Sequence, residues 1–249
     1  MVKRKTAINI RKAHRYLGIF IGIQFIMWTV SGLYFSWTDL DEIHGDHFKK
    51  EAPVHSSFSD LKSPTELHPE MEVASVKLQE ISGKPFYYVN DKVLMDARNG
   101  EIIEEISSQQ ALDIASRYMK EDLKVSGIER ITETGRHHEY RERLLPAWVI
   151  SYDTDENLKA YVGALTGNFN TVRHRDWRWF DFLWMTHTMD YEGRDDFNNL
   201  LLRSFSLLGL ITVLSGFLLW YVSSPTVRKI LKPVKKVKKK KKNPVIRNN

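Results

Sequence analysis

No cysteine occurs in the 249 residues. Disulfides, thiol nucleophiles and cysteine-ligated iron–sulfur clusters are therefore excluded, and the absence suits an oxidising exterior where a stray thiol is a liability. No acidic residue occurs in residues 1–15 or 223–249, which carry six and eleven Lys/Arg respectively. These flanks hold the whole basic excess. The stretch between them has twenty bases against thirty-one acids, although the chain as a whole is +6. A nucleic-acid partner is rejected on that ground, because the basic charge is confined to the ends of the chain. No G-x-G-x-x-G, P-loop, H-E-x-x-H or G-x-S-x-G pattern is present, so nothing recognisable binds nicotinamide or ATP.

Two long apolar runs are present, Tyr16–Trp37 and Ser204–Val222. Each reaches the roughly 20 residues that a helix needs to cross about 30 Å of hydrocarbon. The first run ends in Tyr34-Phe35-Ser36-Trp37 rather than a small-residue cleavage site, which favours an uncleaved anchor over a signal peptide. Tyr34, Trp37, Trp220 and Tyr221 stand where interfacial aromatics belong. The chain thus divides into a basic flank (1–15), a first span (16–37), a polar insert (38–199), a second span (200–222) and a Lys-rich tail (223–249). Positive flanks stay cytoplasmic, so both termini are expected inside and the insert translocated. The tail (KKVKKKKK, 235–242) reads as a disordered headgroup-binding segment, with membrane lipids as its partner.

The insert has the alternating apolar pattern of a globular α+β domain. Strands are expected at 73–80, 85–90, 92–95, 127–133, 147–153 and 158–162, with a charged hairpin tip at 134–143. A helix is expected at 108–120, with Ser108 as N-cap and Ala111, Ile114, Ala115 and Met119 on one face. PFYYVNDKVLMDARNGEI (85–102) parallels PAWVISYDTDENLKAYVGALTGNF (146–169), each a hairpin ending in a turn at Gly100 or Gly167. Residues 177–189 (WRWFDFLWMTHTM) are amphipathic, with a break at Glu192-Gly193.

Helix, aromatic strand, strand and a D-x-x-T-G-E-like turn resemble a PepSY domain. Arg11-Lys12-Ala13-His14-Arg15-Tyr16-Leu17-Gly18, with Thr29 and Ser31-Gly32, resembles the opening of PepSY-associated transmembrane proteins. Trp184-Met185-Thr186-His187 and Leu214-Ser215-Gly216-Phe217-Leu218-Leu219-Trp220 are similar to that family's closing segment. The resemblance implies a membrane protein with two helices bracketing an α+β, extracytoplasmic PepSY-like domain with antiparallel sheet, in a bacterial inner membrane. Larger members have four or more spans, and Asn168 stands where the second turn's acid would be. Better-known members include haem-containing iron-siderophore reductases, which implies haem b, electron transfer and a ferric siderophore as substrate. PepSY domains are also associated with protease inhibition, which implies instead a non-enzymatic module acting on an envelope peptidase or transporter.

His14, at the mouth of the first span, suits an axial haem ligand because a neutral imidazole binds iron well. Gly18 and Gly22 follow on the same face and leave room for a macrocycle or a helix. An interfacial His between Lys12 and Arg15 is the plainer reading. His187 is its counterpart at the outer level, against a structural hydrogen-bonded His. Arg203 lies within the outer end of the second span and suits a haem propionate or Asp196, against snorkelling to headgroups. His44 and His47 are spaced i,i+3 among carboxylates and suit a divalent metal if the helix continues through Gly45. His55, His68 and His174 have no partner identifiable by spacing. Because one chain supplies one imidazole per level, a homodimer would be needed to complete two bis-His sites.

Overall fold

The computed structural model describes residues 4–51 and 56–224; the Lys-rich tail from 225 and His55 lie outside the described residues. The chain forms two compact units, one within Met1–Ile26 and Leu200–Asn249, the other Met27–Asn199. Helix α1, Arg4–Trp37, starts well before the apolar run, because no Gly or Pro interrupts the basic flank. Its 34 residues give a length of about 51 Å at about 1.5 Å per residue. That exceeds the hydrocarbon thickness, so the basic first turns extend beyond the apolar stretch.

In the first unit, the start of α1 packs on α6, Leu200–Ser223. Phe20 and Phe205 stack with ring centroids 5.6 Å apart. Gly209 of α6 receives the Phe25 ring, since an added Cβ would stand 3.0 Å from its Cζ. α1 and α6 are both long and apolar enough to cross a membrane. Only 17% and 11% of their most apolar windows are buried, which excludes the core helix of a soluble protein. Ile19, Phe20, Ile23, Leu214, Phe217 and Trp220 are among the exposed apolar residues, as expected where lipid replaces water as the neighbour.

The second unit continues from α1 into a short helix α2 (Leu40–Ile43), a single 3₁₀ turn (Asp46–Phe48) and α3 (Pro64–Leu67). Two four-stranded antiparallel meanders follow: β1 (Val76–Ile81), β2 (Lys84–Val89), β3 (Val93–Asp96) and β4 (Ile102–Ile103), then β5 (Val125–Ile131), β6 (Ala147–Tyr152), β7 (Lys159–Gly163) and β8 (Phe169–Arg173). Between them runs α4, Ser108–Tyr118. Its apolar face, Ala111, Ile114 and Ala115, joins Met119 in one core with Phe86, Leu94, Ile150 and Val162 from both sheets. Area burial of this kind drives the docking. The N-cap is Ser107 rather than the expected Ser108. Ser107 and Gln110 form a reciprocal capping box, with Gln110 at the N3 position that the motif requires.

The internal repeat is visible bond for bond. Ala97 N–H donates to Pro85 O and Ala164 N–H to Pro146 O, both at 3.0 Å. Each following turn closes through a glycine N–H, Gly100 to Asp96 O and Gly167 to Gly163 O. Asp96 caps the first turn, accepting from the N–H of Arg98 and Asn99. In the second turn the Thr166 hydroxyl accepts from Asn168 N–H. The turn geometry therefore survives the change of acid to Asn168. Both glycines have positive φ, +78° and +67°, a region costly for other residues.

Gly167 is also crowded: a Cβ there would lie 2.8 Å from Ile81 Cδ1. Gly167→Ala should destabilise the protein by about 1–3 kcal/mol, measured by thermal unfolding of the full chain in detergent. Gly83→Ala, at φ +76° with no atom within 4 Å, should cost less.

Candidate functional site

Within the first unit, His14 Nδ1 lies 2.7 Å from Ser215 Oγ. The Ser215 hydroxyl donates to Thr212 O at 2.7 Å. A hydroxyl has one proton, so toward His14 the serine only accepts. This hydrogen-bond pattern assigns a proton to Nδ1 and leaves Nε2 as the nitrogen turned away from the serine. Gly216 makes room for the ring, since a Cβ at that position would stand 3.3 Å from His14 Cε1.

Within the second unit the same chemistry recurs. His187 Nδ1 lies 2.7 Å from Ser31 Oγ, and that hydroxyl donates back to Met27 O at 2.6 Å. Ser31 is fully buried, and His187 again presents Nε2. The residue stands in the last turn of helix α5, Arg175–Thr188. Trp28 Nε1–H donates to His187 O at 2.8 Å, satisfying a carbonyl that the helix end would otherwise leave open. The Phe35 ring packs edge-on, with centroids 5.6 Å apart. Burial pushes the His187 imidazole below its ordinary 6.5, which favours the neutral form. After α5 the chain breaks as expected. Asp190 accepts from the N–H of Glu192, Gly193 and Asp196. These bonds outweigh its burial and hold its carboxyl below the usual range.

The second unit also carries a charged groove in which the arginines Arg141, Arg143 and Arg173 face the carboxylates Glu139, Glu142, Asp181 and Asp195, beside Leu40, His44 and Trp177. Arg173 stacks 3.9 Å over the Trp177 ring. Burial and the nearby Arg143 charge bring Arg173 down to about 10. Asp181 is shared by two guanidiniums, Arg141 at 2.8 Å and Arg194. Among the described residues, Arg141 Nε and Arg194 Nε have no hydrogen-bond acceptor. Burial would raise Glu139, but hydrogen bonds from Arg178 and Tyr161 prevail and hold it low.

Position at the membrane levels and the family resemblance led to both haem-candidate histidines but not to their serine partners, which come from distant parts of the chain. Arg203 lies in the first turn of α6. Asp196, its suggested partner, has its carboxylate on Asn198 N–H at 2.7 Å. His44 and His47 do not share a helix. α2 ends at Ile43, and Gly45 turns the backbone at φ +73°. His44 lines the charged groove. His47 instead meets His174 and Glu156, their ligand atoms within 4.8 Å of one another. His68 is structural, its Nε2 lying 2.8 Å from Gly100 O.

A family model described as the PepSY-associated TM region matches residues 2–223. No curated protein and no solved structure matches the chain.

The lowered His187 pKa sets a pH dependence. As pH falls below about 6.5, the unfolded chain takes up a proton that the half-buried imidazole resists, so stability is lost on acidification. Thermal unfolding in detergent should show this decline between pH 7 and pH 5, and His187→Gln should flatten it.

Proposed function

The chain belongs to the family of the PepSY-associated TM region, a membrane protein family, and we propose that it carries haem b on His14 and His187 for electron transfer in iron acquisition. The observation that carries this reading is the matched state of the two histidines. Each has Nδ1 engaged by a serine that is bonded back to its own helix. Each therefore offers the unprotonated Nε2 that an axial ligand needs, with the second nitrogen oriented as at well-built metal sites. Gly18 and Gly22, which follow His14 along α1, have no described atom within 4 Å of where a Cβ would stand. That face is open to a flat macrocycle.

Haem, when bound, supplies a one-electron couple. His14 and His187 would hold the iron, partial burial favours neutral His187, and the groove arginines are the proposed contacts of a ferric chelate such as a siderophore. A quinol or a cytoplasmic donor gives one electron, and ferric iron in the chelate becomes ferrous. Arg203 is the proposed partner of a haem propionate. Both termini lie in the cytoplasm of a bacterium and the PepSY-like domain lies outside the inner membrane, in keeping with the acid-free basic flanks. One chain provides one imidazole for each haem, and a second copy in a homodimer completes the pairs.

The incomplete ligand set within one chain favours a second reading. In it the domain is a non-enzymatic interaction or regulatory module that controls an envelope peptidase or transporter.

The test is the reduced-minus-oxidised absorbance spectrum of detergent-purified protein from haem-replete cells. A b-type spectrum near one haem per chain is expected, with His14→Ala removing about half of the haem. A flat spectrum overturns the electron-transfer reading in favour of the anchored module.

A further inference from the structure

The cluster of His47, Glu156 and His174 lies in the second unit and takes no part in the proposed electron path. Its three members come from three places: the 3₁₀ turn after α2, the β6–β7 connection, and the residue that precedes α5. Each is held. Phe48 O accepts from Lys120 N–H at 3.0 Å, and Lys50 N–H donates to Tyr118 O at 2.8 Å, tying the 3₁₀ turn to the end of α4. Glu156 O accepts from Arg175 N–H at 2.8 Å, which fixes the connection on the start of α5. Gly45 lets the turn come close, since a Cβ there would stand 3.0 Å from Val172 Cγ1.

His174 is fully buried. Its Nε2 lies 3.1 Å from Ile43 O, and a carbonyl only accepts, so Nε2 carries the proton. In the neutral ring Nδ1 is then a bare lone pair. That nitrogen makes no hydrogen bond among the described residues, yet Glu156 Oε2 lies 3.3 Å from it. A lone pair facing a carboxylate in a buried site is unfavourable unless a positive charge stands between them. The His47 ring closes the third side, edge-on to His174 with centroids 5.4 Å apart.

We infer that His47, Glu156 and His174 form a binding site for a divalent first-row transition cation, with Zn²⁺ as its representative. Two imidazoles and one carboxylate are a donor set of borderline softness that suits such ions and not Ca²⁺ or Mg²⁺. Tetrahedral zinc with bonds near 2.1 Å needs ligand atoms about 3.4 Å apart. Side-chain rotation of the exposed His47 and the half-exposed Glu156 supplies that closure, while buried His174 stays fixed. The ion staples the segment following the first span to the start of α5, the helix that carries His187. A fourth position remains for water or an exogenous ligand.

The test is calorimetric titration of ZnCl₂ into the full chain in detergent, after chelator treatment and dialysis. The site predicts one saturable equivalent per chain that His47→Ala weakens at least about 100-fold, since even outer-shell losses cost 10–100-fold. His47 is exposed, so this variant keeps its fold, whereas His174→Ala would open the core. Glu156→Gln should weaken binding likewise, and His137→Ala, in the charged 134–143 segment outside the cluster, should not. Zn²⁺ should also raise the unfolding temperature of the wild-type chain and leave that of His47→Ala unchanged. Absence of saturable binding overturns the site and leaves a His174–Glu156 ion pair. So does binding that His47→Ala does not weaken, which would be adventitious.

Discussion

The single proton of a helical serine hydroxyl governs the site. Inside an apolar helix that proton has an acceptor at hand in the carbonyl one turn back, and Ser31 and Ser215 both use it. Once it is spent, each hydroxyl can only accept. The neighbouring imidazole must then donate from Nδ1, and the lone pair is forced to Nε2. The proposed ligation rests on this choice of nitrogen, together with the partial burial that favours neutral His187 and the glycine beside His14, where a larger residue would press on the ring.

The two histidine–serine pairs exchange halves of the chain. His14 of the N-terminal part bonds Ser215 of the C-terminal part, and His187 bonds Ser31. In each case the serine is followed by glycine, Ser31-Gly32 and Ser215-Gly216. The PepSY-like domain is also built twice, with proline, alanine and glycine in matching bonds. Its turns reach the same closure through different caps, Asp96 in one and Thr166 in the other. Main-chain geometry is thus the repeated element, and the side chains that support it have diverged.

Much of this was legible in the residues. The two spans follow from length and apolarity, and the four-residue rhythm of Ala111, Ile114 and Ala115 marks α4. Gly100 and Gly167 betray turns that need positive φ. His14 and His187 stood out as chemistry-bearing, and the structure gives both the same partner type. Other features needed three dimensions. The start of α1 at Arg4 was hidden because a basic helix leaves no apolar signal. Ser107 and Ser108 are both competent caps, and only the position of Gln110 decides between them. His47 was grouped with His44 by spacing, but Gly45 turns the chain and sends His47 to His174, a residue 127 positions away. No local pattern records such a meeting.

The most direct test of the serine-controlled histidines is ¹⁵N NMR of the cofactor-free protein, selectively labelled at histidine. Nδ1 and Nε2 shifts distinguish the two neutral tautomers, and His14→Gln and His187→Gln assign the signals. The account predicts the Nδ1–H tautomer for both residues above pH 7, with Ser215→Ala and Ser31→Ala each releasing its own histidine to a mixture. An Nε2–H tautomer at either position would contradict it.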